Sequence, residues 1–540
     1  MKRVCFTLFV ALFLFNNHTN AQKGNTKYDL KWGEKQRRRA EESFNHYAGH
    51  DESGHYIVNV QALAFNTKTY FVKLDNDLNE VKEEQFKVKV NGKKCTIQKL
   101  IFLNGQLTAI SSVKNKETNG LDLVAHKVNK NTFEVDESDY KILGRMENTS
   151  ILDENYGIYI NLSSDTSKIA ITTANPTDPN ENAFYTFEIF DSNLQSLWKK
   201  DLELPVESKL AVIKNIRVSN DGNIHLLYKE YYEKKESFLS DYKGNISKEY
   251  RKKVEPNYTY KILSVRNNGD KGEVNIRDND EYFYDLALKL DNAGNVICTG
   301  YFSRLKPNNV AGIYFLKINS ESGRILKRVH NDLPQNVISL DFKYRNDVKS
   351  VTKDKENEAN ELKHFDLDYL RVLEDGNIIL TGEFHHVNSV YVSPTENKYY
   401  HHIRDIMIIK LSPEGEIVWG TKIAKDQRDK YLGSYNAFVN GNDIYLLYNG
   451  TKANIDLEPG DKIYSTGGYN GYAALLVRVD ANAKVEKSVL FEKDEVDLYF
   501  KPIKGNQLDE NQRFIYTMKG RKECFLLLKL RNSSDESLGQ

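Results

Sequence analysis

The chain has only four cysteines in 540 residues, far apart and without CxxC spacing. That excludes a disulfide-dense small fold, a zinc ribbon and a dithiol redox motif. Excess charge of either sign is also missing, with Lys plus Arg at 76 and Asp plus Glu at 76. A nucleic-acid surface needs clustered positive charge, so no nucleic-acid partner is expected. No apolar run is long enough to cross a bilayer, the N-terminal one included. GxSxG, P-loop and HExxH patterns are absent as well, so no catalytic residue, metal or cofactor is assigned. What is present, 40% hydrophobic and 11% aromatic residues, excludes a disordered or collagenous chain.

The first 21 residues read as a secretory signal. Lys2 and Arg3 are followed by the apolar run Val4 to Phe15 and then by Thr19-Asn20-Ala21, with small residues where a signal peptidase cuts. Cleavage after Ala21 removes two basic residues and leaves the balance near neutral. Cys5 precedes the apolar run, which argues against a lipid anchor there. Cys95, Cys298 and Cys524 remain, an odd number that leaves at least one thiol free or intermolecular. Buried strand cysteines are the ordinary reading.

A recurring unit then runs almost the whole length. Asp375-Gly376-Asn377-Ile378-Ile379-Leu380-Thr381-Gly382 is a polar turn feeding a strand. Ile406 to Leu411, the turn Ser412-Pro413-Glu414-Gly415 and Glu416 to Trp419 complete an antiparallel meander. Copies begin near residues 56, 106, 168, 223, 295, 377, 444 and 514, and the runs Asp285–Leu290 and Tyr369–Leu373 supply a further strand ahead of the turn. One twisted sheet cannot bury both faces alone, and radial stacking solves that. The expected fold is all-β, a β-propeller of seven or eight mostly four-stranded blades over residues 55–531. The first unit lacks an opening strand and the last ends after its third, so the two termini are expected to share a blade. Two packed β-sandwiches are the rival architecture.

Ser465-Thr466-Gly467-Gly468-Tyr469-Asn470-Gly471-Tyr472, continuing to Val479-Asp480, resembles the bacterial SBBP-type β-propeller repeat. The Lys410-Leu411 and Lys289-Leu290-Asp291 endings are similar to it too, as are Trp198 and Trp419 after the following turn. The resemblance touches about half the chain and implies a propeller in an exported bacterial protein. It implies no catalytic residues.

Residues 22–54 fall outside the repeat. Lys35-Gln36-Arg37-Arg38-Arg39 followed by Glu41-Glu42 suits a short charged helix with a solvated face, and the basic run could alternatively touch an anionic partner. Residues 344–364 read as a charged, exposed insertion, and residues 532–540 as a polar tail. The absence of a sorting domain after Leu530 favours periplasm or envelope over free secretion.

Three clusters hold candidate ligands. His385, His386, His401 and His402, with Glu383, bracket a loop rich in Tyr and Asn and could offer nitrogen and oxygen to a divalent transition metal. Neighbouring histidines on a strand face opposite ways, so at most one of each pair can join a common site, and surface or packing roles are the ordinary reading. Asp75-Asn76-Asp77-Leu78-Asn79-Glu80 alternates oxygens like a calcium loop but lacks its glycine and has Phe86 at the twelfth position, so a strand-connecting turn is expected. Asp278, Asp280 and Asp285 are read the same way. The functional expectation is an exported binding or scaffolding module, periplasmic, outer-envelope-associated or extracellular. Protein or glycan would be bound by loops near the central channel. The alternative is a carbohydrate-active or other hydrolytic propeller, which would gather carboxylates around one mouth of that channel.

Overall fold

The computed structural model describes residues 28–63, 66–147, 157–175, 180–232, 258–277, 281–304, 309–339, 343–344, 361–393, 396–458, 460–466 and 471–531. Each blade's two middle strands are rich in apolar and small residues and are mostly buried. Gly54–Leu63 and Gln106–Asn115 in blades 1 and 2, Val296–Ser303 in blade 5 and Tyr472–Val479 in blade 7 are buried along almost their whole length. A strand buried on both faces needs a neighbouring sheet on each side. Outer strands such as Glu80–Gln85 and Ile325–Asp332 carry charge and stay largely exposed.

Eight antiparallel sheets result, and the chain is a β-propeller. Their inner strands are Glu42–Asp51, Thr96–Leu103, Ile158–Leu162, Ala211–Val218, Tyr282–Leu290, Phe365–Val372, Tyr435–Asn440 and Tyr499–Phe500, in blades 1 to 8. The eight recurring turns found in the sequence lead into the second strand of each blade. Every unit therefore begins one strand earlier than the repeat suggests. The inner strands were fainter because they face a channel and carry polar residues.

The acidic ends of the repeat have a local cause. Asp75, Asp191, Asp291 and Asp480 each fold back on their own turn, accepting hydrogen bonds of 2.7–3.0 Å from the backbone N–H groups two and four residues on. Asp75-to-Glu80 is thus the expected strand-connecting turn. The tryptophans tie blades together: Trp198 Nε1 donates to Gly222 O at 3.0 Å and Trp419 Nε1 to Ala481 O at 2.9 Å, each reaching a turn of the next blade.

The ring closes through its termini, as expected, although the first unit does not lack its opening strand, which is Glu42–Asp51. Tyr28–Trp32 pairs antiparallel with Leu526–Leu530 and becomes the outer strand of blade 8. The Tyr28 hydroxyl donates to Val489 O at 2.8 Å, and Trp32 meets Phe491 edge-on at 5.1 Å, so the closing strand also grips blade 7.

The short N-terminal helix is not formed. Gln36–Arg37 is a strand paired with Lys522 and Glu523, and Glu42–Asp51 is the inner strand of blade 1. The physical reason is Arg38. It is buried between blades 8 and 1, bonded to Glu523 and to Glu80 at 2.7 Å and Glu83 at 3.2 Å, so the charges serve closure and not a solvated face. Among the described residues the α-helices are the short Gln335–Ser339 and Lys493–Val496. None is long and apolar enough to cross a membrane.

The insertion also differs from expectation at its end. Glu361 is 3% exposed and accepts from Ser303 Oγ, Arg304 N and Asn309 Nδ2, while Leu362–Lys363 pairs with Asn309–Val310. Residues 345–360, the signal segment, the Gly467-to-Asn470 turn, Asp278, Asp280 and the tail lie outside the described residues. Cys95, Cys298 and Cys524 are all buried and free.

Removing one partner from a buried ion network strands the other charges in a poorly solvated place, at a cost of about 3–5 kcal/mol. Arg38→Ala is expected to lower the unfolding free energy by that amount in urea titrations. The exposed neighbour Arg37→Ala should stay within about 0.5 kcal/mol of the parent.

Candidate functional site

The inner strands of blades 4 to 6 each carry a β-bulge at a matching place. Lys214 is the extra residue in blade 4, Asp285 and Leu286 oppose one residue in blade 5, and Asp368 is extra in blade 6. A bulge turns a side chain out of the ladder and is common beside functional sites. Asp285 sits at φ +50°, a left-handed conformation open to Asp at small cost. The facing second strands carry Thr299-Gly300 and Thr381-Gly382. A Cβ on Gly300 would lie 2.5 Å from Asp285 O, and one on Gly382 would lie 2.0 Å from the Tyr301 hydroxyl and 2.5 Å from Asp366 O. Glycine is what lets the bulged strand come this close.

The bulges gather four carboxylates. Asp285 accepts from Leu367 N at 2.7 Å and Asp366 from the Tyr284 hydroxyl at 2.7 Å, linking blade 5 to blade 6. Asp368 accepts from the Tyr435 hydroxyl at 3.1 Å, which is itself 2.5 Å from Thr381 Oγ1. Behind them Glu383 is ion-paired with buried Lys425 at 2.5 Å. Burial pushes the Glu383 carboxyl up, against the pull of Lys425, and pushes Asp366 up too, helped by Asp285. Depth within the ring and the Glu383 charge raise Asp368 well above the usual carboxylate range. Its side chain opens on channel solvent, which moderates the first of these causes. The Tyr301 hydroxyl is fully buried here and has no hydrogen-bond partner.

Above the carboxylates the same channel turns basic. A cavity of about 520 Å³ is lined by residues from blades 4 to 8, among them Asp368, Tyr369, Arg217, Lys289, Arg371 and Arg513. This volume falls in the small-molecule range of about 300–1,000 Å³. Arg217, Lys289 and Arg371 are each the penultimate residue of an inner strand. Interblade bonds hold these strands in register: Arg217 Nε donates to Leu288 O at 3.0 Å and Leu288 N to Asn215 Oδ1 at 2.8 Å. Arg513 comes from the second strand of blade 8, lies over Phe438 at 5.1 Å, and bonds Asn436.

The sequence candidates divide. His385 and His401 face each other, with Nε2 and Nδ1 3.3 Å apart, while His386 lies toward His402 and His364 on the other side of the hairpin. Glu383 goes to Lys425 and joins neither group. Among the described residues no group of three or more His, Cys, Asp or Glu is arranged to hold a metal ion. Of the aspartates named in the sequence, Asp285 does enter the channel cluster. Asp366, Asp368 and the four cations were missed. Their signal was a basic residue just before the repeat turn in three successive units, paired with Thr-Gly in two of them.

Burial holds His364, His385 and His402 near a pKa of about 4, so they are neutral in the folded protein at pH 7. Between about pH 6.5 and 4 the unfolded chain binds more protons at these positions, so their contribution is present above 6.5 and lost as pH falls. Urea titrations of His402→Gln are expected to lose less stability than the parent between pH 7 and 5, by on the order of 1–2 kcal/mol. Equal losses would mean that His402 charges freely in the fold.

No protein-family model matches the chain, and no curated protein does. Solved structures of similar shape include the β-propeller domain of the Trilobed protease from Pyrococcus furiosus, at 9% identity, covering 84% of this chain and 96% of that chain, with TM-score 0.34. The WD40 domain of SCAP from fission yeast is similar at 7% identity, covering 93% of this chain and 94% of that one, with TM-score 0.38. An exo-1,5-alpha-L-arabinanase from a bovine ruminal metagenomic library is similar at 10% identity over 63% of this chain and all of its own, with TM-score 0.25. Likenesses this distant do not bear on function, and the propeller assignment stands on the strand pairing.

Proposed function

We propose that this propeller is exported and acts as a binding or scaffolding module in the bacterial envelope or outside the cell, seating a protein or glycan partner at the channel between blades 4 and 8. The observation that carries the binding role is the 520 Å³ cavity, onto which five blades direct charged and aromatic side chains. A surface that only had to fold would not concentrate charge on its inner strands. Support for a second contact region comes from blade 6, whose middle strands Ile378–Ser393 and Glu396–Leu411 are 16 residues each. Val390, Tyr399 and Tyr400 on that hairpin are about half exposed, as suits a contact surface. Support for export comes from the ordered basic, apolar and small-residue pattern of the first 21 residues, and the SBBP-type repeat resemblance agrees with it.

A hydrolytic propeller is the second reading, favoured by one observation: Asp366 and Asp368 lie together on one inner strand with raised pKa values, the state a general acid needs.

The test is fractionation of cells carrying the full chain, followed by affinity purification and mass spectrometry. The expected result is an N-terminus at Gln22 outside the cytoplasm and a partner lost from Ala437→Trp and Ala287→Trp, two changes that fill the cavity. An intact N-terminus in the cytoplasm would overturn export, and a partner retained by both folded variants would overturn channel binding. Sugar release from a glycan panel that disappears in Asp368→Asn would establish the hydrolytic reading instead.

A further inference from the structure

The basic half of the channel has cations without counter-charges. Lys289 Nζ and the Arg371 guanidinium make no hydrogen bond or ion pair among the described residues, and both line the cavity. Arg217 is spent on two backbone carbonyls, Leu288 O at 3.0 Å and Ile216 O at 2.9 Å. Arg513 is 6% exposed, and its Nε is buried without a partner. The carboxylate on the same wall, Asp368, is engaged by Tyr435.

This arrangement works against folding. Four like charges share one solvent-filled space, and an unpartnered buried guanidinium N–H loses its hydration. Burial and the neighbouring Arg217 and Arg371 charges bring Lys289 down to about 8, while burial brings Arg513 down to about 10. Natural cores neutralise such groups with a carboxylate from the facing strand, as Glu523 does for Arg38 in this molecule. The equivalent places around the channel wall carry no such acid: Asn215, Ala287, Tyr369 and Ala437 stand there. Groups left unsatisfied on adjacent rigid strands are arranged as in a receptor for the missing charge.

Resting on the channel-binding reading above, we propose that Lys289, Arg371 and Arg513, assisted by Arg217, form the seat for an oxyanion group of the ligand, a carboxylate, sulfate or phosphate. Guanidinium groups offer forked donors that match such oxygens, and the ammonium adds a point charge. Tyr369, which lines the same cavity close to both Arg371 and Arg513, supplies an aromatic surface for the body that carries the anion.

The test uses the full exported chain in calorimetric titrations at low ionic strength with citrate, inorganic phosphate and sulfate, and with chloride as the control. Saturable binding of at least one oxyanion is expected, weakened tenfold or more in Lys289→Gln and in Arg371→Gln. Without ligand both variants should melt no lower than the parent, because neither side chain has a partner to lose. Citrate alone binding would identify a carboxylate ligand, whereas sulfate or phosphate binding would identify an ester. No saturable heat with any of the three, or affinity unchanged from the parent in both variants, would overturn the anion seat. Those results leave channel binding standing if Ala437→Trp and Ala287→Trp still lose the partner. If anions bind but those variants keep it, the seat stands and the partner reading falls.

Discussion

A four-stranded blade whose two middle strands are apolar on both faces has no stable existence by itself. Each must be sandwiched between neighbours, and the requirement propagates around the ring until the last blade meets the first. Closure is therefore the condition on which every other contact depends. Here it is met without a disulfide, by backbone pairing of Tyr28–Trp32 with Leu526–Leu530 and by Arg38 buried among acids of blades 8 and 1. Pairing supplies hydrogen bonds along the seam, and Trp32 and Tyr28 extend the grip into blade 7.

A closed ring leaves one region where strands face no neighbouring sheet, the channel. Inner strands are free of the demand for apolar residues, and in blades 4 to 6 that freedom is used for bulges and charge. Two electrostatic environments share the space. The carboxylates are tied into interblade hydrogen bonds with Tyr284, Tyr435 and Leu367 N, so they stiffen the wall. Of the cations, Arg217 and Arg513 are held by backbone and amide oxygens, while Lys289 and Arg371 have no hydrogen bond or ion pair among the described residues.

Legibility in the sequence followed burial. The middle strands announced themselves because double-sided burial writes runs rich in apolar and small residues, and the Asp-led turns because a side chain must satisfy the local backbone. Arg38 misled because Lys35-to-Glu42 has the charge pattern of a solvated helix, while its role comes from acids roughly 40 and 480 residues away in sequence. Asp285 was visible as one aspartate among many. Nothing local separates it from Asp278 or Asp280, since its place depends on a bulge opposite Gly300.

The sequence alone determined the sheet class, a repeat making seven or eight blades and the sharing of a blade by the two ends, because apolar periodicity and turn chemistry act over a few residues; the count of eight came from the strand pairing. Only the tertiary structure decided which charges meet. Arg217, Lys289 and Arg371 stand 72 and 82 residues apart in the chain, and interblade bonds bring them to one wall. Electrostatic interaction depends on distance in space, and local pattern carries no record of it.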